Sequence, residues 1–312
     1  MPKLRLMTYN VRYFAQATRG VASTLRPLQG IARSIAELDP VPDLICLQEV
    51  ETRSIRSTVA RRRQARRFTQ LQQLMQALHA ELDTLGKDDD FQAYYFSAHT
   101  YRFVGRSPLY TTGLAILAHC DFMVDQHNAA KPQDITHRRI HAVRRLKQTR
   151  ICGHLRFRHR SGHTIDLFNT HLSLPSVFTR DFWRHRDRMG WGPNQLREAQ
   201  SLAHCIDQRR QSDRFVVLGD FNSRPGSPVY EYLTRDRGLI DAFALAKGLT
   251  PEDLNRWPTA GFMRFRFHVD HIFSGPGLQW VDFEGSHPFG LRGGLFHGLS
   301  DHVPLIGTCR VP

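Results

Sequence analysis

The chain has 312 residues, of which 41% are hydrophobic and 23% are charged. This composition is ordinary for a folded protein and argues against an intrinsically disordered chain. Lysine and arginine number 43 against 29 acidic residues, which gives a formal net charge of +14 at pH 7. Such an excess attracts polyanions, namely nucleic acid, anionic lipid surfaces or phosphorylated metabolites, and the charge alone does not choose among them.

The five cysteines are scattered along the chain without a Cys-x-x-Cys pair. This pattern argues against a disulfide framework or a thiolate zinc site and favours a reducing compartment. The first residues lead straight into a predicted strand without an apolar signal region, and no apolar run approaches the length of a membrane span. We therefore expect a cytoplasmic protein without a transmembrane segment, and the sequence implies no protein partner.

Predicted elements in the first part of the chain end at polar side chains. Residues 4–11 alternate as a strand that ends near Asn10, and residues 28–38 have the apolar spacing of a helix. A second apolar burst, residues 43–50, predicts a short buried strand that closes on Glu49. Two strands thus end in groups that can ligate a metal.

Two basic segments follow different patterns. Residues 54–85 predict one long helix whose first half is rich in arginine and whose second half has the amphipathic spacing of core packing. The arginines are either a solvated helix face or a surface that contacts a polyanion. Residues 175–194 predict a long loop in which phenylalanine and tryptophan stand among arginines. Such a loop suits stacking on bases or gripping phosphates, and the alternative is that its rings pack beneath it.

The centre of the chain predicts paired strands and a strand that delivers a carboxylate. Strands are predicted at residues 94–104, 112–118, 151–159 and 164–170, and the last two form a hairpin. Residues 195–208 have helical spacing. The apolar run that begins at Phe215 ends abruptly in Gly-Asp220-Phe-Asn222. Burying Asp220 there is costly unless a cation or hydrogen-bond donors compensate its charge.

Residues 264–273 alternate as one strand, and the tail begins with an acid and a histidine before a final apolar strand. Polar groups thus collect at predicted strand ends: Asn10, Glu49, His171, Asp220, Asn222, Asp270, Asp301 and His302. Oxygen-rich sets of carboxylates and amides suit Mg²⁺ or Mn²⁺ rather than zinc, and histidines suit phosphate contact and proton transfer. The set indicates a hydrolytic metal site, although any single member is also explained as a cap or a buried hydrogen-bonded group.

Six short segments resemble, in order, those of the endonuclease/exonuclease/phosphatase superfamily, the metal-dependent phosphoesterases with the DNase-I-like fold. They are Met7-Thr-Tyr-Asn10, Leu47-Gln-Glu49, Asn169-Thr-His171-Leu, Gly219-Asp220-Phe-Asn222-Ser, Val269-Asp270-His-Ile and Ser300-Asp301-His302. The resemblance implies an α/β fold, a DNase-I-like four-layer sandwich in which two mixed β-sheets pack face to face with helices outside. Because no linker-like break interrupts the chain, we expect one domain over residues 1–312, with insertions near residues 51–90 and 175–194.

The resemblance also implies how the matching residues divide the chemistry. Glu49 would be the principal ligand of Mg²⁺ or Mn²⁺, with Asn10 and Asp301 completing the metal neighbourhood. Asp220 and Asn222 would orient or deprotonate the attacking water and hold a phosphate oxygen. The reaction would be in-line attack of water on a phosphoester.

The remaining residues would act on the phosphate itself. His302, steadied by Asp270, would contact the phosphate and share in proton transfer. His171 would stabilise the charge that builds on the phosphate or assist the leaving oxygen. Arg150 resembles a phosphate-binding arginine of the family.

Sequence features also favour one branch of the family. His171 stands where the abasic-site repair endonucleases have a tyrosine, and the residues after Asn222 lack the Asn-Tyr-Arg pattern of the inositol phosphatases. The net charge and the arginine-rich segments favour a nuclease or nucleic-acid phosphodiesterase. The alternative is a phospholipid (sphingomyelinase-like) or sugar-phosphate phosphoesterase, whose substrate is an anionic lipid or a small phosphoester. A binding module with an inactive site is disfavoured, because no expected acid or histidine is missing.

Overall fold

The computed structural model describes residues 2–14, 25–50, 68–102, 108–137, 149–160, 162–175, 189–262, 265–284 and 293–312. Its strands are β1 (Lys3–Asn10), β2 (Leu44–Val50), β3 (Phe91–Arg102), β4 (Pro108–His119), β5 (Met123–His127), β6 (Gln133–Asp134), β7 (Ile151–Arg158), β8 (Thr164–His171), β9 (Phe215–Asp220), β10 (Ile240–Asp241), β11 (Ala260–Phe262), β12 (Phe265–Phe267), β13 (Asp270–Ser274), β14 (Gln279–Phe283) and β15 (Leu305–Arg310). Its helices are α1 (Leu25–Ala36), α2 (Gln70–Thr84), α3 (Pro193–Arg209), α4 (Pro228–Glu231), α5 (Ala242–Lys247) and α6 (Pro251–Leu254).

Two mixed sheets form the centre of the fold. The first has the strand order β14-β15-β1-β2-β4-β3, and the second has the order β10-β13-β9-β8-β7-β5, with β6 also paired to β7. In the first sheet β1 runs parallel to β2 and antiparallel to β15. In the second sheet β9 runs parallel to β8 and antiparallel to β13. The expected α/β arrangement of two mixed sheets with helices is confirmed.

Strand β1 shows why the first sheet is buried on both faces. Leu4 and Leu6 belong to the large core that contains the apolar side chains of the second sheet. Met7 and Tyr9, which point the other way, belong to the core formed with α1 and α2. A strand buried on both faces is apolar almost throughout, and this explains why the sequence alternates only loosely here.

Buried amides tie the two sheets together close to the strand ends. Asn169 of β8 donates from Nδ2 to the carbonyl oxygens of Leu47 (3.2 Å) and Ala115 (3.0 Å), both in the first sheet. Its Oδ1 accepts a hydrogen bond of 2.9 Å from Nε2 of Gln48. Asn169 and Gln48 are both fully buried. Because buried polar groups need partners, these bonds hold the two sheets at a fixed separation directly beneath the edge where the strands end.

The predicted helix over residues 54–85 is wrong as one continuous element. The helix α2 begins only after Thr69, whose backbone is extended and whose hydroxyl accepts a hydrogen bond of 3.2 Å from the backbone N–H of Gln72. The side chain of Gln72 accepts a bond of 2.8 Å from the Thr69 N–H in return. This capping box fixes the start of the helix. The arginine-rich residues 51–67 and most of the second basic segment, residues 176–188, lie outside the described residues.

The single strand predicted over residues 264–273 is also wrong, because two strands of different sheets occupy this range. Strand β12 pairs with β11 in a separate hairpin, and β13 pairs with β9. Between them the hydroxyl of Thr259 accepts hydrogen bonds from the backbone N–H groups of Val269 (3.1 Å) and Asp270 (3.0 Å). A side-chain oxygen thus replaces the strand partner. The apolar alternation continues across this break, so the pattern alone predicts one strand.

The other strands predicted beside the site are confirmed within a few residues, including the hairpin of β7 and β8. No helix in the described ranges is both long enough and apolar enough to cross a membrane. The single domain over residues 1–312 stays a prediction, as do the insertions near residues 51–90 and 175–194.

Candidate active site

Strand ends from both sheets bring the predicted site residues to one edge. In the second sheet His171 is the last residue of β8 and lies beside Asp220, the last residue of β9. Asp270, the first residue of the antiparallel β13, lies on the other side of Asp220. The first sheet supplies Asn10 from the end of β1 and Glu49 from β2. The ends of three neighbouring strands of the second sheet and of two strands of the first sheet thus meet at one edge.

Asp220 is the centre of this cluster. Its Oδ2 accepts a hydrogen bond of 3.0 Å from Nδ2 of Asn10, which joins the two sheets. The same oxygen lies 3.5 Å from Nε2 of His171 and 3.8 Å from Nε2 of His302. Burial and the negative charge of Asp270 raise the pKa of Asp220, and the His302 and Asn10 contacts oppose this rise. A buried carboxylate with a raised pKa suits the transfer of a proton.

The turn after β9 holds Asp220 and Asn222 in fixed positions. Gly219 has a φ of +144°, and a Cβ atom there would lie 2.0 Å from the carbonyl oxygen of Thr170, so only glycine fits. Asn222 has a φ of +47°, which few residues other than glycine adopt. Its backbone N–H donates to Oδ1 of Asp220 (2.9 Å), and its Nδ2 donates to the carbonyl oxygen of Leu172 (2.9 Å). These bonds stabilise the strained residue.

The pair of Asp270 and His302 lies beside Asp220. Nδ1 of His302 lies 2.8 Å from Oδ2 of Asp270, at hydrogen-bonding distance. Burial lowers the pKa of His302, but the charge and hydrogen bond of Asp270, together with the charges of Asp220 and Asp301, outweigh burial and raise this pKa to about 10. The imidazole is therefore a cation at neutral pH, with Nδ1 donating to Asp270.

His171 has the opposite character. Burial and then the positive charges of Arg150 and His302 lower the pKa of His171 well below its usual value. His171 is therefore neutral at pH 7. It shares the lining of a cavity of about 10 Å³ with Arg150. The site thus holds one charged and one neutral histidine on either side of Asp220, which is the kind of separation that assigns distinct roles to titratable groups.

Glu49 lies on an irregularity of β2 that aims its side chain into the site. The pairing of β2 with β4 shifts between Leu47 and Val50, and Glu49 has a φ of +58°. A bulge of this kind redirects a side chain and is frequent beside active sites. Burial and then the negative charge of Asp301 raise the pKa of Glu49 to about 7, against the opposing charge of His302. The carboxylate of Glu49 thus lies near another carboxylate, an arrangement that a divalent cation would stabilise.

The predicted metal ligands fit a hard cation. Asn10 offers an amide oxygen, and Glu49 and Asp301 offer carboxylate oxygens, which are the donors that Mg²⁺ and Mn²⁺ prefer. The hydroxyl of Ser300 donates to the carbonyl oxygen of Asn10 (2.7 Å) and so ties the loop that carries Asp301 to the end of β1. The donor set therefore agrees with the chemistry expected of the site.

A second set of groups is close enough together to hold a cation. One ligand atom each from Asp220, Asp270 and His302 lies within 4.8 Å of the others. In this set Nδ1 of His302 already lies at hydrogen-bonding distance from Oδ2 of Asp270, and Oδ2 of Asp220 accepts a hydrogen bond from Nδ2 of Asn10. We therefore interpret this set as a hydrogen-bonded network and keep the cation with Asn10, Glu49 and Asp301.

Sequence reasoning missed Arg12, which contacts two of the three predicted metal ligands. Its Nη1 lies 3.0 Å from Oδ2 of Asp301, and its backbone N–H donates to Oδ1 of Asn10 at 3.0 Å. The only signal in the sequence is its place two residues after Asn10. An arginine at that place is not distinguished from any surface arginine until the fold is known.

Helix α3 positions two loops of the site through residues that the sequence did not single out. Nε of Arg150 donates to the hydroxyl of Ser173 (3.3 Å). That hydroxyl and the Ser173 N–H donate to the fully buried carboxylate of Glu198 at 2.7 and 2.8 Å. One turn earlier, Nε2 of Gln195 donates to the carbonyl oxygens of Ser173 (2.7 Å) and Asn222 (2.9 Å). The predicted helix thus anchors the segments that carry Arg150 and Asn222.

The profile of the Endonuclease/Exonuclease/phosphatase family matches residues 7–302, which is nearly the whole chain. The chain belongs to this family. Its members are phosphoesterases, generally dependent on a divalent metal, so the expected superfamily is confirmed. Comparison with curated protein sequences gave no significant match.

Solved structures of the family have the same fold. A family protein from Leptotrichia buccalis is 18% identical with a TM-score of 0.65, over 98% of this chain and 99% of that one. The catalytic domain of human Nocturnin, with a bound sulfate anion, is 18% identical with a TM-score of 0.63, over 100% of this chain and 94% of that one. ANGEL2, described as a 2′,3′-cyclic phosphatase, is 19% identical with a TM-score of 0.58, over 99% and 95%. These likenesses confirm the DNase-I-like sandwich.

Proposed function

We propose that this chain is a divalent-metal-dependent phosphodiesterase that acts on nucleic acid. The observation that carries the proposal is the convergence at Asp220: Asn10, His171 and His302 all approach one buried carboxylate oxygen within 3.8 Å. A buried acid flanked by a charged and a neutral histidine, next to an oxygen-rich donor set, suits attack of water on a phosphate ester. We also propose that the protein is cytoplasmic and that one domain spans residues 1–312.

One half of the site would act on the attacking water. Asp220 would accept the proton of the water, since its raised pKa makes the carboxylate a stronger base than an exposed aspartate. The backbone N–H of Asn222 holds Asp220 in place. One hydrogen of its Nδ2 is donated to Leu172, and the second would be donated to a phosphate oxygen. Asn10, Glu49 and Asp301 would bind Mg²⁺ or Mn²⁺, which when bound supplies a Lewis acid at the phosphate.

The other half of the site consists of side chains that would donate hydrogen bonds to the phosphate. His302 is protonated and would donate from Nε2 to a phosphate oxygen, while Asp270 stabilises its charge. The neutral imidazole of His171 would donate a hydrogen bond to the charge that builds on the phosphate or to the leaving oxygen. Arg150 would bind a phosphate oxygen beside His171, because its positive charge acts on that histidine.

Charge favours nucleic acid as the substrate. A formal net charge of +14 creates a field that attracts a long polyanion more strongly than a small ester. The similar ANGEL2 structures include one in complex with adenosine-2′,3′-vanadate, which places a nucleotide analogue on a related protein. We infer that the substrate is DNA or RNA.

A substrate panel tests this proposal. Plasmid DNA, single-stranded DNA, single-stranded RNA, RNA ending in a 2′,3′-cyclic phosphate, sphingomyelin vesicles and p-nitrophenyl phosphate are each incubated with Mg²⁺, with Mn²⁺ and with EDTA. We expect cleavage of at least one nucleic acid that EDTA abolishes. An Asp220→Asn variant purified in the same way controls for contaminating nucleases. Rapid turnover of the lipid or the small ester, with no cleavage of nucleic acid, would reverse the assignment in favour of the phospholipid or sugar-phosphate alternative.

A further inference from the structure

Arg12 binds to oxygen atoms that the divalent cation would need. Of the three residues that we assign to the metal, Asn10 accepts a hydrogen bond from the Arg12 N–H, and Asp301 is paired with the Arg12 guanidinium, both at 3.0 Å. One residue therefore contacts two of the three ligands, through its backbone and through its side chain. The side chains of Arg12 and Asp301 are 28% and 23% exposed, so the pair lies at the mouth of the site.

The fold imposes the position of Arg12. Arg12, Tyr13 and Phe14 have φ values of +44°, +54° and +53°, three consecutive residues in a region that L-residues rarely adopt. Such strain persists only where the surroundings hold it. Phe14 is fully buried in the core formed with α1 and α2, and its N–H donates to the carbonyl oxygen of Val11 (2.9 Å). The buried ring thus fixes the turn that carries Arg12 to the metal ligands.

Arg12 brings a positive charge next to the predicted metal ligands. A guanidinium carries a positive charge, so it repels a divalent cation and competes with it for Asp301. We propose that Arg12 is a built-in competitor of the divalent cation and that it weakens metal binding at the site. This inference rests on the proposed metal-dependent function. It predicts that removing the guanidinium strengthens metal binding, the opposite of what removing a ligand does.

Calorimetric titration of the metal-free protein with Mn²⁺, without substrate, measures this directly. We expect Arg12→Ala to lower the dissociation constant for Mn²⁺ by about fivefold, the factor that corresponds to a partly exposed ion pair of about 1 kcal/mol. Arg12→Lys keeps the charge and should remain within about twofold of the parent protein. Arg33→Ala removes an exposed arginine that pairs with Glu81 on the surface, and it should leave the dissociation constant unchanged.

The outcomes separate the two proposals. If the parent protein binds no Mn²⁺, the proposed function fails. If the parent binds Mn²⁺ but Arg12→Ala binds it equally well or more weakly, the competition is overturned while the metal site stands. Circular dichroism verifies that each variant is folded. If Arg12→Ala is not folded, Arg12→Gln, which keeps a polar side chain on the same turn, must show the same tightening, and an unchanged or weaker affinity in that variant overturns the proposal.

Discussion

Oδ2 of Asp270 lies 2.8 Å from Nδ1 of His302, and this contact joins the first residue of β13 to the loop before β15. Asp270 is buried at 1% exposure, so its charge is screened little by water. This is the reason why the pKa of His302 rises although burial alone would lower it. The two side chains therefore act as one unit that keeps a positive charge next to Asp220.

Replacing Asp270 by asparagine should lower the pKa of His302, so that the imidazole keeps its positive charge less firmly. We expect Asp270→Asn to lower kcat on a phosphodiester by about 10²- to 10⁴-fold, the range for the loss of a proton-transfer group, with a smaller change in KM. The alkaline limit of the pH profile should also move to lower pH, because His302 then loses its proton more easily. Asp282→Asn, at an exposed carboxylate on β14, is the matched control. A kcat within about twofold of the parent would contradict the role of the pair.

Asn169 should be important for stability. Its side chain makes three hydrogen bonds across the sheets, to Leu47, Ala115 and Gln48. Asn169→Ala would remove all three bonds, although Gln48 keeps its bonds to Thr8 and Cys46. Each buried group that is left unpaired costs about 1 to 3 kcal/mol. We expect a loss of about 3 to 5 kcal/mol in the free energy of unfolding, measured by urea denaturation. Gln92→Ala, at an exposed amide on β3, should cost less than about 0.5 kcal/mol. Equal losses in the two variants would contradict this account.

His268 should make the protein sensitive to acid. It is buried, its Nδ1 lies 2.6 Å from the carbonyl oxygen of Trp257, and its ring stacks on Phe243. Burial and then the positive charge of His271 lower its pKa to about 4. In the unfolded chain His268 takes up a proton near pH 6.5, whereas in the folded protein it takes up this proton only near pH 4. The contribution of His268 to the free energy of unfolding is therefore fully present above pH 6.5 and is lost as the pH falls toward 4.

The measurement is the free energy of unfolding against pH for the parent and for His268→Gln, which can still donate to the Trp257 carbonyl. Between pH 7 and pH 4 the parent should lose about 3 kcal/mol more than the variant. His204→Gln, at an exposed histidine on α3, should follow the parent. Parallel curves for parent and His268→Gln would show that this histidine is not the source of acid sensitivity.

Glu198 should act on the substrate through Arg150. Its carboxylate accepts from both the hydroxyl and the N–H of Ser173, and that hydroxyl accepts from Arg150. We expect Glu198→Gln to raise KM about tenfold with little change in kcat, the factor for one hydrogen bond to a charged group. Adding Glu198→Gln to Arg150→Ala should have little further effect, because both act on one contact. Fully additive effects of the two substitutions on KM would contradict this positioning role. Glu252→Gln, at the exposed start of α6, is the control.

The sequence predicted the parts of the site that lie at the ends of buried strands. Asn10, Glu49 and Asp220 each follow an apolar run, and a run that stops at a polar group marks a sheet edge in the chain itself. The role of Arg12 could not be predicted in this way, because it depends on three positive φ values. The contacts of Asn169 and Ser173 could not be predicted either, because Gln48 bonds to Asn169 and Glu198 bonds to Ser173 from distant parts of the chain. The periodicity of apolar residues indicates that one face of a strand or helix is buried. It does not indicate which other element packs against that face.

The central claim is that the strand ends assemble one pocket in which a divalent cation and a phosphate meet. The most direct measurement is the anomalous diffraction of a crystal soaked with Mn²⁺ and a non-hydrolysable phosphodiester analogue. We predict an anomalous peak among Asn10, Glu49 and Asp301, with the phosphate within hydrogen-bonding distance of Nε2 of His302. A peak among Asp220, Asp270 and His302 instead, or no ordered Mn²⁺ at this edge of the sheets, would contradict the account.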